Sequence, residues 1–274
     1  MDETYNPASN ETDVPRLADY DLILLNTSGG KDSQAMIDRV ARLASEAGLS
    51  ERLVAVHADL GRVEWPGTAE LAEEQVAHYG IRFLKVSRSQ GDLVDHIRQR
   101  GKFPSSTTRY CTSDHKRGQV AKVLTMLAQE HRAAGGGQVR ILNCLGFRRE
   151  ESPARRKKEA FRHDARATNT RRHVDEWLPV LEVTLDEVWE TIRASGVRHH
   201  PAYDAGMRRL SCSFCVLASR SDLILAAQLR PALAREYADV EVEIGHRFTD
   251  HLSMTEVIEL AASADAVVVP DWAA

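Results

Sequence analysis

Short apolar runs alternate with amphipathic segments along most of the chain. The apolar runs have the length of buried strands and cover residues 22–25, 53–61, 82–87 and 139–146. The segments between them repeat apolar residues at helical spacing and cover residues 33–47, 68–79, 92–99 and 114–127. Strands that alternate with helices in this way predict an α/β fold with a doubly wound, mainly parallel sheet.

The same pattern suggests how the chain is divided. The polar and acidic residues 1–18 lack the features of a signal peptide and predict a disordered lead-in. Residues 19–183 form the predicted α/β domain, and residues 184–274 form a helical C-terminal region. Residues 147–174 have almost no apolar period and predict a mobile basic loop, because positions 148–172 hold ten Lys/Arg against four Asp/Glu.

Composition and charge limit the classes of protein to which the chain can belong. The chain has 274 residues, of which 43% are hydrophobic and 28% are charged, as in soluble globular proteins. No apolar run is long enough to span a membrane, so a cytoplasmic protein is expected. The net charge of −4 gives no overall case for nucleic-acid binding, which would have to come from local patches.

Residues 26–33 join the first predicted strand to the first predicted helix. A strand that turns through Gly29 and Gly30 into a helix presents free backbone N–H groups to a ligand, and Lys31 adds a positive charge. A phosphate group suits this arrangement, whereas a glycine-rich turn that only closes the strand–helix unit is the alternative. The candidate nucleotide-binding residues of this segment are Asn26, Ser28, Gly29, Gly30, Lys31, Asp32 and Ser33.

Two carboxylates are expected to face the phosphates. Asp32 lies in the loop, and Asp59 lies near the carboxyl end of the second predicted strand. Because carboxylates commonly hold the Mg²⁺ that bridges phosphate oxygens, both are candidate catalytic and nucleotide-binding residues. Asp59 could equally serve only to form a turn.

Four segments in order along the chain carry a family resemblance. The sequence SGGKDS at 28–33 resembles the pyrophosphate loop of the adenine nucleotide alpha-hydrolase superfamily, the N-type ATP pyrophosphatases. The segment RYCT at 109–112, the segment GFRREESPAR at 146–155 and the segment WLPV at 177–180 resemble motifs of the phosphoadenylyl-sulfate (PAPS) reductase family. The resemblance implies an adenine nucleotide alpha-hydrolase-like fold with ATP as the nucleotide.

The resemblance extends the candidate site beyond the glycine loop. It adds Arg109, Lys116 and Gly146 as nucleotide-binding residues. Arg148 and Arg155 are expected to grip phosphate or sulfate oxygens, since guanidinium forks suit these anions. The candidate catalytic residues are therefore Lys31, Asp32, Asp59, Arg148 and Arg155.

The chain has four cysteines, Cys111, Cys144, Cys212 and Cys215. In a cytoplasmic protein they are better read as metal ligands or free thiols than as disulfides. A C-x-x-C pair with distant thiols can hold a 4Fe–4S cluster, which we favour, or Zn²⁺. Cys144 lies in a predicted strand and could be only a buried core residue, in which case the fourth ligand is missing or is a group such as His115.

Two departures from the reductases redirect the functional prediction. Tyr110-Cys111 stands where iron–sulfur sulfonucleotide reductases have two adjacent cysteines, and no cysteine follows Cys215 to attack sulfur. The motifs look closest to the ATP pyrophosphatase of DNA phosphorothioation systems. The leading hypothesis is therefore an ATP pyrophosphatase that activates a substrate oxygen for sulfur incorporation, with DNA as acceptor and a cysteine desulfurase or similar partner as sulfur donor.

Three alternatives stay open from the sequence. The chain could reduce PAPS or APS with an external thiol, or it could be a tRNA-thiolating adenylyltransferase. A nucleotide-binding regulator without catalytic activity is the third, and the intact loop with Ser28, Asp32 and Ser33 argues against it.

Overall fold

A computed structural model of the protein describes residues 14–272. Residues 1–13, which make up most of the predicted lead-in 1–18, and residues 273–274 lie outside this part. Residues Leu17–Asp19 form a 3-10 turn, and Leu17 is buried in the core beside the sheet. Among the described residues, we find no helix with the length and apolar character needed to cross a membrane.

The described chain contains six strands and ten α-helical segments. The strands are β1 Leu22–Thr27, β2 Leu53–Asp59, β3 Arg82–Ser87, β4 Val139–Leu145, β5 Phe161–His163 and β6 Arg172–Trp177. The helices are α1 Lys31–Glu46, α2 Thr68–Ala77, α3 Leu93–Arg100, α4 Tyr110–Thr112, α5 Gly118–Ala133, α6 Pro153–Arg156, α7 Leu185–Ser195, α8 Arg220–Leu229, α9 Pro231–Ile244 and α10 Met254–Ala262. The π-helical turn Ser113–Arg117 joins α4 to α5, and 3-10 turns occupy Ser50–Arg52, Gly61–Val63 and Arg149–Glu151.

The six strands form one sheet in the order β3-β2-β1-β4-β6-β5. All neighbouring strands are parallel except β5, which pairs antiparallel with β6. The chain runs outward from β1 through β2 to β3 and then returns to the other side of β1 as β4. The carboxyl ends of β1 and β4 therefore border the topological switch point, where open α/β sheets bind their ligands. The predicted doubly wound α/β fold is confirmed.

Apolar side chains cover both faces of the sheet. On one face, α1 and α7 pack together through residues such as Ile37, Val40 and Val188. On the other face, α5 contributes Val123 and Leu124 to a second core with strand residues. Burying each such side chain stabilises the fold by about 2 kcal/mol, which explains the apolar periodicity of these helices.

The helices α8, α9 and α10 build a third core away from the sheet. They pack with α3 and the turn after β2, through a group that includes Phe103, Tyr237 and Phe248. The helical C-terminal part is thus present. The predicted region 184–274 is divided, however, because α7 packs against α1 and only the later helices join the third core.

The prediction of a long loop over residues 147–174 is corrected by the structure. This segment contains the turn Arg149–Glu151, helix α6, strand β5 and the first residues of β6. The sequence pattern missed β5 because its residues are all exposed at the edge of the sheet, so no apolar alternation marks it.

Candidate functional site

The glycine loop after β1 has the form predicted for an anion-binding turn. Gly29 has a φ of +67°, which only glycine adopts without strain, and Gly30 precedes the first turn of α1 without a side-chain cap. Ser33 Oγ donates to the carbonyl oxygen of Gly30 over 2.8 Å and accepts from the backbone N–H of Ser28 over 3.2 Å. The two serines therefore hold the loop in shape beside the helix N-terminus.

Asn26 forms hydrogen bonds between the two strands that border the switch point. Its side-chain nitrogen donates to Asn143 Oδ1 over 2.7 Å and to the carbonyl oxygen of Cys144 over 2.9 Å. These bonds tie β1 to β4 just below the loop. Asn26 therefore braces the two strands of the switch point, and its role in nucleotide binding stays a prediction.

The loop after β4 lies directly against the start of α1. A Cβ atom added to Gly146 would lie 2.7 Å from the carbonyl oxygen of Asp32 and 2.8 Å from Ser33 Cα. This explains why glycine stands at position 146. The close approach brings the GFRREES segment over the glycine loop, as the family motif implied.

Arg148 connects the two loops. Its side chain is only 5% exposed, and its Nε donates to Asp32 Oδ1 over 2.5 Å. Its Nη1 donates to Glu150 Oε2 over 2.6 Å. The guanidinium therefore fixes the orientation of the Asp32 carboxylate.

Lys31 is almost fully buried beside the same carboxylate. Its Nζ lies 3.4 Å from Asp32 Oδ2 and donates to the carbonyl oxygen of Arg208 over 3.1 Å. Burial lowers the pKa of Lys31, although Asp32 acts in the opposite direction. The hydroxyl of Tyr203 accepts from the backbone N–H of Lys31 over 3.0 Å. The sequence analysis missed Tyr203, which no local motif marks.

Several guanidinium groups converge around Arg155. Arg155 forms an ion pair with Glu151, and Arg209 lies 4.0 Å from the same carboxylate. Burial, followed by the charges of Arg209, Arg109 and Arg148, lowers the pKa of Arg155 to about 10, even though Asp32 raises it. Positive charge is thus concentrated here beyond what the nearby carboxylates balance, which is the condition for binding a polyanion.

Asp59 lies at the end of β2, next to β1. Its Oδ1 accepts from the backbone N–H of Gly61 over 2.7 Å, so it does form a turn. Its carboxylate also lies within 4.8 Å of ligand atoms of His57 and Glu64, and the three could hold a metal ion. His57 Nε2 lies 2.9 Å from Glu64 Oε2, and its Nδ1 lies 3.2 Å from the carbonyl oxygen of Thr27 at the base of the glycine loop. His57 and Glu64 were not among the predicted site residues.

Three of the four cysteines belong to one neighbourhood. Cys111 and Cys212 pack against the third core, and Cys215 is close enough to raise the pKa of both thiols, although burial is the larger cause. Lys116 acts in the opposite direction on Cys111 and Cys212. Lys116 is therefore near these thiols, and its predicted role in nucleotide binding stays a prediction.

Backbone and side-chain bonds fix the C-x-x-C segment against the turn after β2. The N–H of Ser213 donates to the carbonyl oxygen of Val63 over 2.8 Å, and Arg230 donates to Ser213 Oγ over 3.0 Å. Arg230 also donates to the carbonyl oxygen of Glu64. The thiol neighbourhood is thereby connected to the end of β2 and to the His57–Asp59–Glu64 group.

Cys144 is separate from the other cysteines. It is fully buried in β4 within the core between the sheet and α1, and burial alone raises the pKa of its thiol. The expectation that Cys144 is a metal ligand is therefore corrected in favour of a core residue. His115, the other candidate fourth ligand, is fully buried, and its Nδ1 has no hydrogen-bond partner.

Comparison with known proteins finds relatives that match part of the chain. An uncharacterised 37.8 kDa protein of Escherichia phage 186 is 26% identical over 228 residues, covering 78% of this chain and 63% of that protein. The tRNA-cytidine(32) 2-sulfurtransferase of Sorangium cellulosum is 32% identical over 126 residues, covering 45% of this chain and 42% of that enzyme. The matched region thus spans less than two thirds of either relative.

The U34-tRNA thiolase NcsA of Methanococcus maripaludis, which has a [4Fe–4S] cluster, is 14% identical with a TM-score of 0.44, covering 90% of this chain and 75% of that one. The family model of the phosphoadenosine phosphosulfate reductase domain matches residues 22–218, well over half of the chain. The family resemblance of the four motifs is confirmed: the chain belongs to the phosphoadenosine phosphosulfate reductase domain family.

Proposed function

We propose that the protein is an ATP pyrophosphatase that releases pyrophosphate and adenylates a substrate oxygen, which sulfur then replaces. The observation that carries this proposal is the anion cradle at the switch point. There the open N-terminus of α1 meets Lys31, Arg148 and Arg155 around the carboxylate of Asp32. A nucleotide triphosphate matches this combination of backbone donors and positive charge.

The glycine loop and the arginines have different roles in binding the triphosphate. The backbone N–H of Gly30 donates to a phosphate oxygen, and that of Gly29 exchanges its hydrogen bond to Thr27 Oγ1 for another one. Lys31 stabilises the charge that develops on the leaving pyrophosphate. Arg155 can exchange its ion pair with Glu151 for the phosphates, because Arg209 competes for the same carboxylate. Binding of an anion would relieve the mutual repulsion of these guanidinium groups.

Asp32 and the group around Asp59 are the candidates for holding Mg²⁺. Carboxylate oxygens are the ligands that Mg²⁺ prefers, and when bound the ion would neutralise charge on the phosphate oxygens. Arg148 keeps one oxygen of Asp32 in a fixed direction, which leaves the other toward Lys31. This pre-organisation is the contribution of the protein itself.

The chemical steps balance without an external oxidant. A substrate oxygen attacks the α-phosphorus of ATP, the bond to the β-phosphate oxygen breaks, and pyrophosphate leaves. A thiol reductant releases hydrosulfide from the persulfide of a partner protein and is itself oxidised to a disulfide. The hydrosulfide then attacks the activated centre, and AMP departs with the original oxygen. One proton is released, and sulfur has replaced oxygen in the acceptor.

The acceptor that we propose is a DNA phosphodiester, as inferred from the motifs. A cluster of arginines beside the nucleotide cleft suits a second polyanion as well as ATP. A tRNA base is the second candidate. It is favoured by the 32% identity to the tRNA-cytidine(32) 2-sulfurtransferase of Sorangium cellulosum.

We propose that Cys111, Cys212 and Cys215 hold an iron–sulfur cluster, with Zn²⁺ as the alternative. Ligand atoms of one tetrahedral Zn²⁺ lie about 3.8 Å apart. In residues 14–272, the sulfur atoms of Cys111, Cys212 and Cys215 do not form a set within 4.8 Å of one another. A wider separation suits a larger group such as 4Fe–4S, which would supply a soft site for sulfur when bound.

Product analysis tests the proposed ATP chemistry. Protein purified without oxygen is incubated with ATP and Mg²⁺, and AMP and pyrophosphate are quantified. We expect both products from the wild type, none from Asp32→Ala, and wild-type amounts from the exposed control Asp239→Ala. Formation of sulfite from PAPS or APS with an added thiol, without ATP turnover, would establish the reductase instead.

A second experiment separates the acceptors. Duplex DNA and unmodified tRNA are added in turn with ATP, sulfide and the protein, and the digested nucleic acid is analysed for sulfur by mass spectrometry. A phosphorothioate dinucleotide supports the DNA acceptor. Thiolated tRNA bases with unmodified DNA would overturn it in favour of the tRNA candidate.

A further inference from the structure

The hairpin of β5 and β6 carries two histidines and an aspartate at the outer edge of the sheet. His163 and Asp175 are directly opposite each other across the strands, and His173 lies two residues before Asp175. Because residues two apart in a strand share a face, the three side chains point the same way. Their ligand atoms all lie within 4.8 Å of one another.

The distances match those between ligands of one metal ion. His163 Nδ1 lies 2.9 Å and His173 Nε2 lies 3.1 Å from Asp175 Oδ1. Ligands of a tetrahedral ion with bonds near 2.0–2.1 Å are separated by about 3.3 Å. A small outward movement of the two imidazoles would admit an ion between the three atoms.

The residues around Asp175 hold its carboxylate in place, and the two histidines leave one side of the group open to solvent. Asp175 is 5% exposed, and its second oxygen accepts from the buried hydroxyl of Tyr20 over 2.8 Å. A bond of this kind orients a carboxylate ligand and is typical of the shell around metal sites. The side chains of His163 and His173 are 44% and 32% exposed, which gives an ion access from solvent. Their rings stack with centroids 4.6 Å apart.

We propose that His163, His173 and Asp175 form a binding site for a divalent transition-metal ion, with solvent or a ligand in the remaining positions. Two imidazoles and one carboxylate favour Zn²⁺, Co²⁺ or Fe²⁺ over Mg²⁺. The site lies on the hairpin beyond β4, whereas the nucleotide cleft lies between β1 and β4. It is therefore separate from the site of the proposed ATP chemistry and does not depend on that function.

The test uses Co²⁺, whose absorption spectrum distinguishes nitrogen and oxygen ligands from thiolates. The full chain is stripped with a chelator under reducing conditions and titrated with Co²⁺, and Zn²⁺ is then added to displace it. We expect one Co²⁺ per chain that gives only weak visible bands, distinct from any Co²⁺ bound by the cysteines, which would add a thiolate charge-transfer band. This ion should be lost in His163→Ala and in the double variant H163A/H173A.

Matched variants make the result decisive. The control H78A/H251A removes two exposed histidines elsewhere and should keep the ion. Tyr20→Phe should weaken binding about tenfold, because it removes only the hydroxyl that orients Asp175. A metal-dependent rise in melting temperature, present in the control and absent in His163→Ala, gives a second readout.

Two outcomes would overturn the proposal. One is that C111S/C212S/C215S abolishes the bound Co²⁺ while H163A/H173A retains it. The other is that H163A/H173A and the control bind Co²⁺ equally well.

Discussion

Arg148 and Asp32, 116 residues apart in the chain, are joined by a hydrogen bond of 2.5 Å from Nε to Oδ1. The bond links the loop after β4 to the first turn of α1 and lies across the switch point of the sheet. It places a carboxylate and a guanidinium side by side at the position where the phosphates would bind. Both residues are thus positioned by the fold before any ligand arrives.

Replacing Arg148 should therefore affect activity more than stability. In Arg148→Gln the Asp32 carboxylate loses its fixed direction, and we expect ATP turnover to fall about 100-fold or more. The free energy of unfolding should fall by about 2 kcal/mol, because Asp32 keeps only Lys31 as a partner. Initial rates of AMP release and urea unfolding measure the two effects. Arg82→Gln, which breaks an exposed pair with Glu130, should change neither by much.

Gly146 should not tolerate a side chain. In Gly146→Ala the new methyl group would meet the backbone of Asp32 and Ser33, so the loop carrying Arg148 must move away from α1. We expect a loss of about 1–3 kcal/mol in unfolding free energy and a strong loss of nucleotide binding. Calorimetric titration with a non-hydrolysable ATP analogue measures the binding. Gly137→Ala is the matched control, since its Cβ would meet nothing within 4 Å, and equal behaviour of the two variants would contradict the argument.

Replacing Cys144 should affect the iron content differently from replacing Cys111 or Cys212. Cys144→Ala should leave the iron and sulfide content unchanged and cost about 1 kcal/mol of stability, because the thiol only fills the core. Cys111→Ser and Cys212→Ser should each lower the iron content of protein purified without oxygen. Iron analysis and visible absorption spectra give the comparison. Loss of iron in Cys144→Ala would show that the core placement of this residue is misleading.

His200 should make the fold sensitive to acid. Its Nδ1 accepts from the N–H of Ala202 over 3.1 Å, so a proton at Nδ1 would break this bond. Burial lowers the pKa of His200 to about 4, whereas the unfolded chain binds a proton near pH 6.5. Between these values only the unfolded state takes up the proton, so stability should fall as the pH falls from 6.5 to 4.

Urea unfolding at several pH values tests this linkage. His200 should contribute a loss of about 2 kcal/mol between pH 6.5 and 4.5, and buried His115, whose pKa is also lowered to about 4 by burial, should add to it. His200→Asn keeps an acceptor for the N–H of Ala202 and should flatten the dependence. The exposed control His251→Ala should follow the wild type. An unchanged slope in His200→Asn would refute the assignment.

Local sequence pattern was sufficient for the parts of the fold that are built from neighbouring residues. The strands β1 to β4 and the helix after the glycine loop follow from apolar periodicity, and Ser253 with Glu256 marks the start of α10. The strand β5 did not follow, because edge strands need no buried face and so leave no alternating pattern. The turn Arg149–Glu151 also depends on a distant contact, because the N–H of Arg149 donates to the carbonyl oxygen of Leu181 over 2.9 Å.

In the candidate site, too, some residues could be named from the sequence and others only from the structure. The glycine loop, Asp32, Arg148 and Arg155 could be named from ordered motifs, because each motif is continuous in sequence. Tyr203 could not, since it reaches the N–H of Lys31 from 172 residues away. The brace formed by Asn26 likewise depends on the pairing of β1 with β4.

The sequence by itself determined the fold class, the family and the position of the glycine loop, because these depend on periodicity and on short continuous motifs. Only the tertiary structure decided which distant side chains meet. It separated Cys144 from the other cysteines, and it brought His163 and His173 together on Asp175. The physical reason is that strand pairing and core packing fix these distances, and neither is encoded in the spacing of residues along the chain.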